Sequence, residues 1–179
     1  MTAAPGELSV AQVHPADPLA APLFAELAVE YDGRYGDLFG GASEELTRYP
    51  AEVFLPPVGV FLLLLDDGVA VAGGAFMPHH DPGTAEVKRM WTAASHRRRG
   101  LARRVLALLE ERAAEQGYTR MYLTTGPRQP EARDLYLAAG WTPLFDPAVP
   151  RPTDSDTLRA LPVAQRLYAF EKPLPGDPS

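Results

Sequence analysis

The chain contains no cysteine. That removes disulfides, thiolate metal sites and a cysteine nucleophile together. No apolar stretch approaches the roughly 18 residues that span a bilayer. The longest, Val58 to Leu65, is interrupted by Gly59 and stops at Asp66-Asp67. Met1 to Leu8 has no basic residue followed by an apolar block, so no secretory signal is expected. There is no internal repeat and no basic excess. A formal net charge of -6 argues against a general nucleic-acid binder, which needs a basic surface. The phosphate-loop sequence GxxxxGK and the dinucleotide fingerprint GxGxxG are both missing, so ATP and NAD are poor candidates. What is present suffices for one core. A chain of 179 residues, 46% of them hydrophobic, suits a single globular domain over 1–179, with loose ends at 1–7 and 174–179. A cytoplasmic protein with no membrane or nucleic-acid partner is the expectation.

Turn residues and periodicity divide the chain. Leu8 to Val13 suits a first strand. Asp17-Pro18 opens a helix carrying Leu19, Leu23 and Leu27 and ending near Glu30-Tyr31, and the Gly- and Tyr-rich segment Tyr31 to Gly41 reads as a loop. Ser43-Glu44-Glu45 is an N-cap signal for a short second helix. Val58 to Leu65 and Val69 to Phe76 are apolar runs joined by Asp66-Asp67-Gly68, a hairpin signature. Ala85 to Thr92 supplies a third antiparallel strand. Leu101, Val105, Leu108, Leu109 and Ala113 then share one helical face, closed by Gly117. A short strand follows at Met121 to Thr124. Pro130-Glu131 opens another helix, capped by Gly140. Trp141 to Phe145 and Leu167 to Glu171 suit two last strands, separated by a proline-rich excursion over Asp146 to Gln165.

One turn concentrates charge. His96-Arg97-Arg98-Arg99-Gly100-Leu101-Ala102-Arg103-Arg104 holds five of the 17 lysines and arginines. It sits between a strand and a helix start, where backbone N–H groups lack partners and the helix dipole is positive. Glycine admits a ligand close to the backbone, and arginines add charge-assisted hydrogen bonds. Such a turn suits a phosphate or pyrophosphate. The bland alternative is a solvated helix start.

The order of these parts resembles a known family. Arg97-x-x-Gly100-x-Ala102 is similar to the (Arg/Gln)-x-x-Gly-x-(Gly/Ala) motif of the GCN5-related N-acetyltransferases. The likeness runs from about Glu86 to Trp141, through Leu123-Thr124-Thr125-Gly126, Gln129 to Tyr136 and Gly140-Trp141. It implies an α/β (α+β) domain. Its mixed, mostly antiparallel sheet, of about six or seven strands with about four helices, splays into a V that takes coenzyme A. It implies acetyl transfer from acetyl-CoA to an amine of a small molecule or a peptide, with no metal. The other reading is a non-catalytic CoA-binding or protein-interaction module of the same fold. A homodimer stays open.

Residue roles carry over from the resemblance. Met90, Trp91 and Thr92 match the strand whose backbone holds the pantetheine arm, and the Met90 N–H is the candidate donor to the thioester carbonyl. Arg97, Arg98, Arg99, Gly100, Leu101, Ala102 and Arg103 are expected to hold the phosphates. Gln129 stands where relatives often have Asn. Glu86 is the candidate general base, against the alternative of a carboxylate paired with Lys88 or Arg89. Simple alternation puts Glu86, Lys88, Met90 and Thr92 on one face of their strand and Val87, Arg89 and Trp91 on the other. Tyr136 matches a Tyr near the coenzyme sulfur and is the candidate acid, against the alternative of a core aromatic. The pair His79-His80 with Asp81 reads as a polar loop rather than a metal site, because adjacent residues ligate one ion poorly. The acidic net charge favours a cationic acceptor.

Overall fold

The computed structural model describes residues 7–36 and 42–175. Seven strands form one sheet: β1 (Ser9–Gln12), β2 (Val60–Asp66), β3 (Val69–Pro78), β4 (Thr84–Thr92), β5 (Arg120–Thr125), β6 (Thr142–Pro143) and β7 (Tyr168–Pro173). Their spatial order is β1-β2-β3-β4-β5-β7-β6, and every pairing is antiparallel except β4 with β5. The helices are α1 (Ala21–Tyr35), α2 (Ala42–Thr47), α3 (Leu101–Glu115), α4 (Pro130–Ala138), α5 (Ser155–Ala160) and α6 (Val163–Arg166). This is the mixed, mostly antiparallel architecture expected. No described helix is long and apolar enough to cross a membrane.

The hairpin of β2 and β3 forms as its sequence dictates. Asp66 pairs with Val69, and Asp67 and Gly68 between them have φ of 48° and 78°. Two positive φ values make the turn whose twist matches the strands. Leu62 and Leu64 then point to one face, Phe61 and Leu63 to the other. On the first face α3 buries Leu101, Val105, Leu106, Leu109 and Ala113. On the second α1 buries Leu23 and Leu27. The sheet is therefore covered on both sides, which explains why β2 and β3 read as continuous apolar runs rather than alternating ones.

Several expectations are corrected. The first helix does not end near Tyr31: it continues through Tyr35, which is 6% exposed and whose hydroxyl accepts the N–H of Arg128 at 2.9 Å. Burying that aromatic outweighs the helix-weakening Gly33. The segment from Trp141 to Phe145 contributes only the two residues of β6. Within the excursion over 146–165 the Asp154 carboxylate accepts the Thr157 N–H at 2.8 Å and caps α5, which buries Leu158. Residues 37–41, within the expected Tyr31 to Gly41 loop, and most of the expected loose ends lie outside the described residues. Leu174, assigned to the tail, is buried, and its N–H donates to the Thr119 carbonyl at 2.9 Å.

β4 departs from simple alternation as well. Gly73 pairs with Trp91 and Ala75 with Lys88, so Gly74 alone opposes Arg89 and Met90. This is a β-bulge, and Arg89 takes φ of 61° within it. The bulge inverts the phase of the strand. Val87 and Met90 pack toward α3, whereas Lys88 lies over Tyr49, Arg89 over Phe54, and Trp91 joins the α1 core. Glu86 and Lys88 therefore do not share a face with Met90.

Candidate active site

β4 and β5 pair only at Thr84 with Arg120, Ala85 with Met121 and Glu86 with Tyr122. Beyond that point the strands separate. The β5-facing backbone edge of β4 from Val87 onward has no strand partner, and neither has the β4-facing edge of β5 from Leu123. Unpaired backbone groups beside an opening are free to bind a ligand as a strand would. The opening is a cleft of about 680 Å³.

One mouth of the cleft is the arginine turn. Gly100 is the N-cap of α3 with φ of 73° and contributes no capping side chain. The first intrahelical bond closes from the Arg104 N–H to the Gly100 carbonyl at 3.1 Å. The N–H groups of Leu101, Ala102 and Arg103 precede it and lack helical partners. A Cβ on Gly100 would meet nothing within 4 Å, so ligand atoms have room against this backbone. Arg98 also has a positive φ, 64°, which bends the chain tightly around the turn. Arg97, Arg98 and Arg103 line the cleft along with Gly100, Leu101 and Ala102. Arg99 is exposed and is not among the lining residues.

Met90, Trp91 and Thr92 line the cleft too. The Trp91 side chain points away from it, into the α1 core, with Nε1 donating to Glu26 Oε2 at 2.8 Å. That leaves its backbone as the part facing the opening. Gln129 lines the cleft as well. Its side-chain oxygen accepts from Thr125 Oγ1 at 3.3 Å and from the Gly126 N–H at 3.4 Å, so its amide NH₂ is the end a ligand can use.

Tyr136 lines the far wall of the cleft and is 5% exposed. Its ring packs on Trp141 and Phe170 at 6.1 Å and 5.5 Å between centroids. Burial, reinforced by the neighbouring Tyr31, pushes its phenol well above the ordinary range for tyrosine. The group therefore stays protonated at any physiological pH. Glu86 stands elsewhere. It occupies the last rung before the strands part and is not among the residues lining the cleft. Its carboxylate lies 3.2 Å from the Lys88 ammonium.

Two residues near the cleft have surroundings that the local sequence does not show. Tyr31 lines the cleft from α1, and burial holds its pKa up at about 12. The signal was present in the four-residue spacing of Leu23, Leu27, Tyr31 and Tyr35, masked by Asp32-Gly33. Arg89 is 3% exposed. It donates to the backbone carbonyl of Glu45 at 3.1 Å and lies 3.5 Å from that residue's carboxylate. It fastens α2 to the bulge, and nothing in the local sequence marks this.

His79, His80 and Asp81 offer ligand atoms within 4.8 Å of one another. The Nδ1 of His79 accepts the Asp81 N–H at 3.1 Å, so it is committed within its own turn.

Comparison with known proteins assigns this split sheet, with a helix start at its mouth, to an acetyltransferase family. The sequence profile of the acetyltransferase (GNAT) family matches residues 23–141. The chain belongs to that family. An Azospirillum brasilense protein named IAA acetyltransferase is 30% identical over 116 residues, covering 65% of this chain and 74% of that protein. A Bacillus subtilis protein named uncharacterized N-acetyltransferase YsnE is 38% identical over 77 residues. That match covers 42% of this chain, and the chain spans only 51% of the Bacillus protein. Among solved structures, a Klebsiella pneumoniae putative acyl-CoA N-acyltransferase superposes with a TM-score of 0.65 at 25% identity, covering 93% of this chain and 97% of that one. The Salmonella typhimurium protein yncA, solved with acetyl-CoA, superposes with a TM-score of 0.64 at 17% identity, covering 97% of this chain and 98% of that one.

Proposed function

We propose that the protein transfers an acetyl group from acetyl-CoA directly to the nitrogen of an amine, on a small molecule or a peptide. The observation that carries this is the parting of β4 and β5 into a cleft that opens onto the unpaired N–H groups at the start of α3. The diphosphate of the donor would lie at Gly100 to Arg103, with Arg97 and Arg98 beside it. Its pantetheine arm would run along Met90 to Thr92, and Gln129 would close over it from the start of α4. The names of the Bacillus and Azospirillum relatives, both acetyltransferases, favour acetyl as the group transferred.

The chemistry needs a proton removed from the amine and the departing sulfur stabilised as a thiolate, which takes its proton afterwards from solvent. The amine nitrogen attacks the thioester carbon, the N–C bond forms, the C–S bond breaks, and the negative charge passes through the carbonyl oxygen to sulfur. The Met90 N–H is the proposed donor to that oxygen. Glu86, set back from the cleft beside Lys88, is the proposed base and reaches the amine through water. Tyr136 is the proposed donor to sulfur. A thiol titrates near about 8.5, far below this phenol, so Tyr136 serves by holding a hydrogen bond to the departing thiolate rather than by ionising. With no cysteine in the chain, no thioester-linked enzyme intermediate can form, and direct transfer with both substrates bound is the proposed route.

The test is acetyl-CoA-dependent thiol release against a panel of amines. Thiol release that rises with amine concentration supports the proposal. Tight CoA binding with no release for any amine would make the protein a binding module instead. Tyr136→Phe should lower kcat about 10- to 100-fold, the worth of one hydrogen bond to a charged group. Glu86→Gln should flatten the acid limb of the pH profile.

A further inference from the structure

A second cavity, of about 300 Å³, adjoins the cleft and shares Tyr31, Glu45, Lys88 and Gln129 with it. Tyr31, Tyr35, Val163 and Leu167 supply aromatic and aliphatic surface there, and Arg48 and Lys88 supply positive charge. The acidic balance of the whole chain is thus reversed at this spot.

Every described carboxylate that lines either cavity is already engaged by an arginine. Glu30 and Glu131 lie 3.4 Å and 2.6 Å from Arg34. Glu45 lies 3.2 Å from Arg48 and 3.5 Å from Arg89. An incoming ammonium or polyamine would have to displace an arginine to find an anion. The cations are placed differently. Lys88 is partly buried, with its side chain 16% exposed, and Glu86 at 3.2 Å occupies one of the three N–H donors of an ammonium. Arg48 meets Glu45 through one nitrogen, NH1, which leaves further donors of its fork. Lys88 borders both cavities, so an anion held by it would sit beside the place where the amine meets the thioester.

Resting on acetyl transfer as the activity, we propose that the acceptor is an α-amino acid with a large apolar side chain, its carboxylate held by Lys88 and Arg48 and its side chain seated among Tyr31, Tyr35, Val163 and Leu167. The α-carboxylate satisfies the cations at the junction of the two cavities. A side chain the size of leucine or phenylalanine suits the apolar remainder of the smaller one.

The experiment compares phenylalanine, phenylalaninamide and spermidine as acceptors, with calorimetric binding of the first two to protein saturated with CoA. Phenylalanine should exceed its amide about 10- to 100-fold in kcat/KM and in affinity, the range for a hydrogen bond to a charged group in a half-buried site. Lys88→Met should bring the ratio of acid to amide close to one. Arg48→Gln, a change at a more exposed position, should lower that ratio by a smaller factor and stands in should Lys88→Met not fold. A purely structural role for Lys88 would depress both acceptors alike and leave their ratio intact. Thiol release with spermidine or the amide equal to that with phenylalanine overturns this assignment and leaves acetyl transfer standing. Selective binding of phenylalanine without thiol release from any acceptor does the reverse.

Discussion

Replacing Gly74 with alanine tests whether the bulge in β4 is built from both sides of the sheet. A Cβ at position 74 would lie 2.6 Å from the sulfur of Met90, 3.0 Å from Cγ1 of Val105 and 3.2 Å from Cδ1 of Leu109. Ordinary carbon contacts fall at about 3.5–4.0 Å, so all three neighbours must give. The Met90 thioether swings away at little expense. Val105 does not, because a β-branched residue on a helix has essentially one side-chain rotamer. Either α3 or the bulge must shift. Overpacking of this kind costs about 1–3 kcal/mol. Removing the glycine's freedom in the unfolded chain offsets about 0.4–1 kcal/mol of that. A net loss of about 1–2 kcal/mol, in a chain of this length, lowers Tm by about 2–8 °C. The same shift moves the Met90 backbone in the cleft, so the KM for acetyl-CoA should rise with the fall in Tm. Thermal unfolding and initial rates read both quantities. Met90→Ala in the Gly74→Ala background should recover part of the loss if the sulfur is the main obstacle, giving a non-additive cycle. An unchanged or raised Tm with an unchanged KM would refute the account of the bulge.

Gly100→Ala should weaken acetyl-CoA binding more than it unfolds the protein. The φ of 73° disfavours an L-residue by about 1–2 kcal/mol, while the open space around its Cβ adds no clash. The methyl group then stands at the proposed diphosphate cradle, and the KM for acetyl-CoA should rise about tenfold or more while the acceptor KM holds. A KM for acetyl-CoA that stays at the wild-type value would remove Gly100 from the donor site. A third expectation concerns pH. Burial lowers the pKa of His79 from 6.5, outweighing the opposing pull of Glu86. Below pH 6.5 the unfolded chain therefore takes up a proton that the folded chain resists. The stabilising contribution of a neutral His79 is full above that pH and is lost as pH falls through its depressed folded value. His79→Phe should flatten the fall in Tm as pH drops below about 6.5. An equally steep fall in the variant would assign the acid sensitivity elsewhere.

Much of the site was legible in the residues before any fold was known. Gly100 within its run of arginines marks a helix start with a ligand-accessible backbone, and Asp67-Gly68 between apolar runs marks the hairpin. These are local signals: a positive φ, a missing side chain and a charge cluster act over a few residues, so a short stretch of sequence specifies them. The course of β4 was not legible. Glu86-Val-Lys-Arg-Met-Trp reads as plain alternation, and only Gly74 on the adjoining strand and α3 behind it make room for the bulge that sends Lys88, Arg89 and Trp91 to one side. The length of α1 was similarly hidden, because the burial of Tyr35 beneath Arg128 draws on a loop more than ninety positions later.

The sequence by itself determined the family-defining turn, the order of strands and helices around it, and the absence of a cysteine pathway. Charge shows most clearly what it left undecided. A net charge of -6 suggested a cationic acceptor, yet each described acidic side chain lining the two cavities is paired with an arginine. Whether a carboxylate repels, attracts or is already satisfied depends on which cation lies within a few ångströms of it. Only the tertiary fold, bringing Glu45 beside Arg89 and Arg34 beside Glu131, decided that.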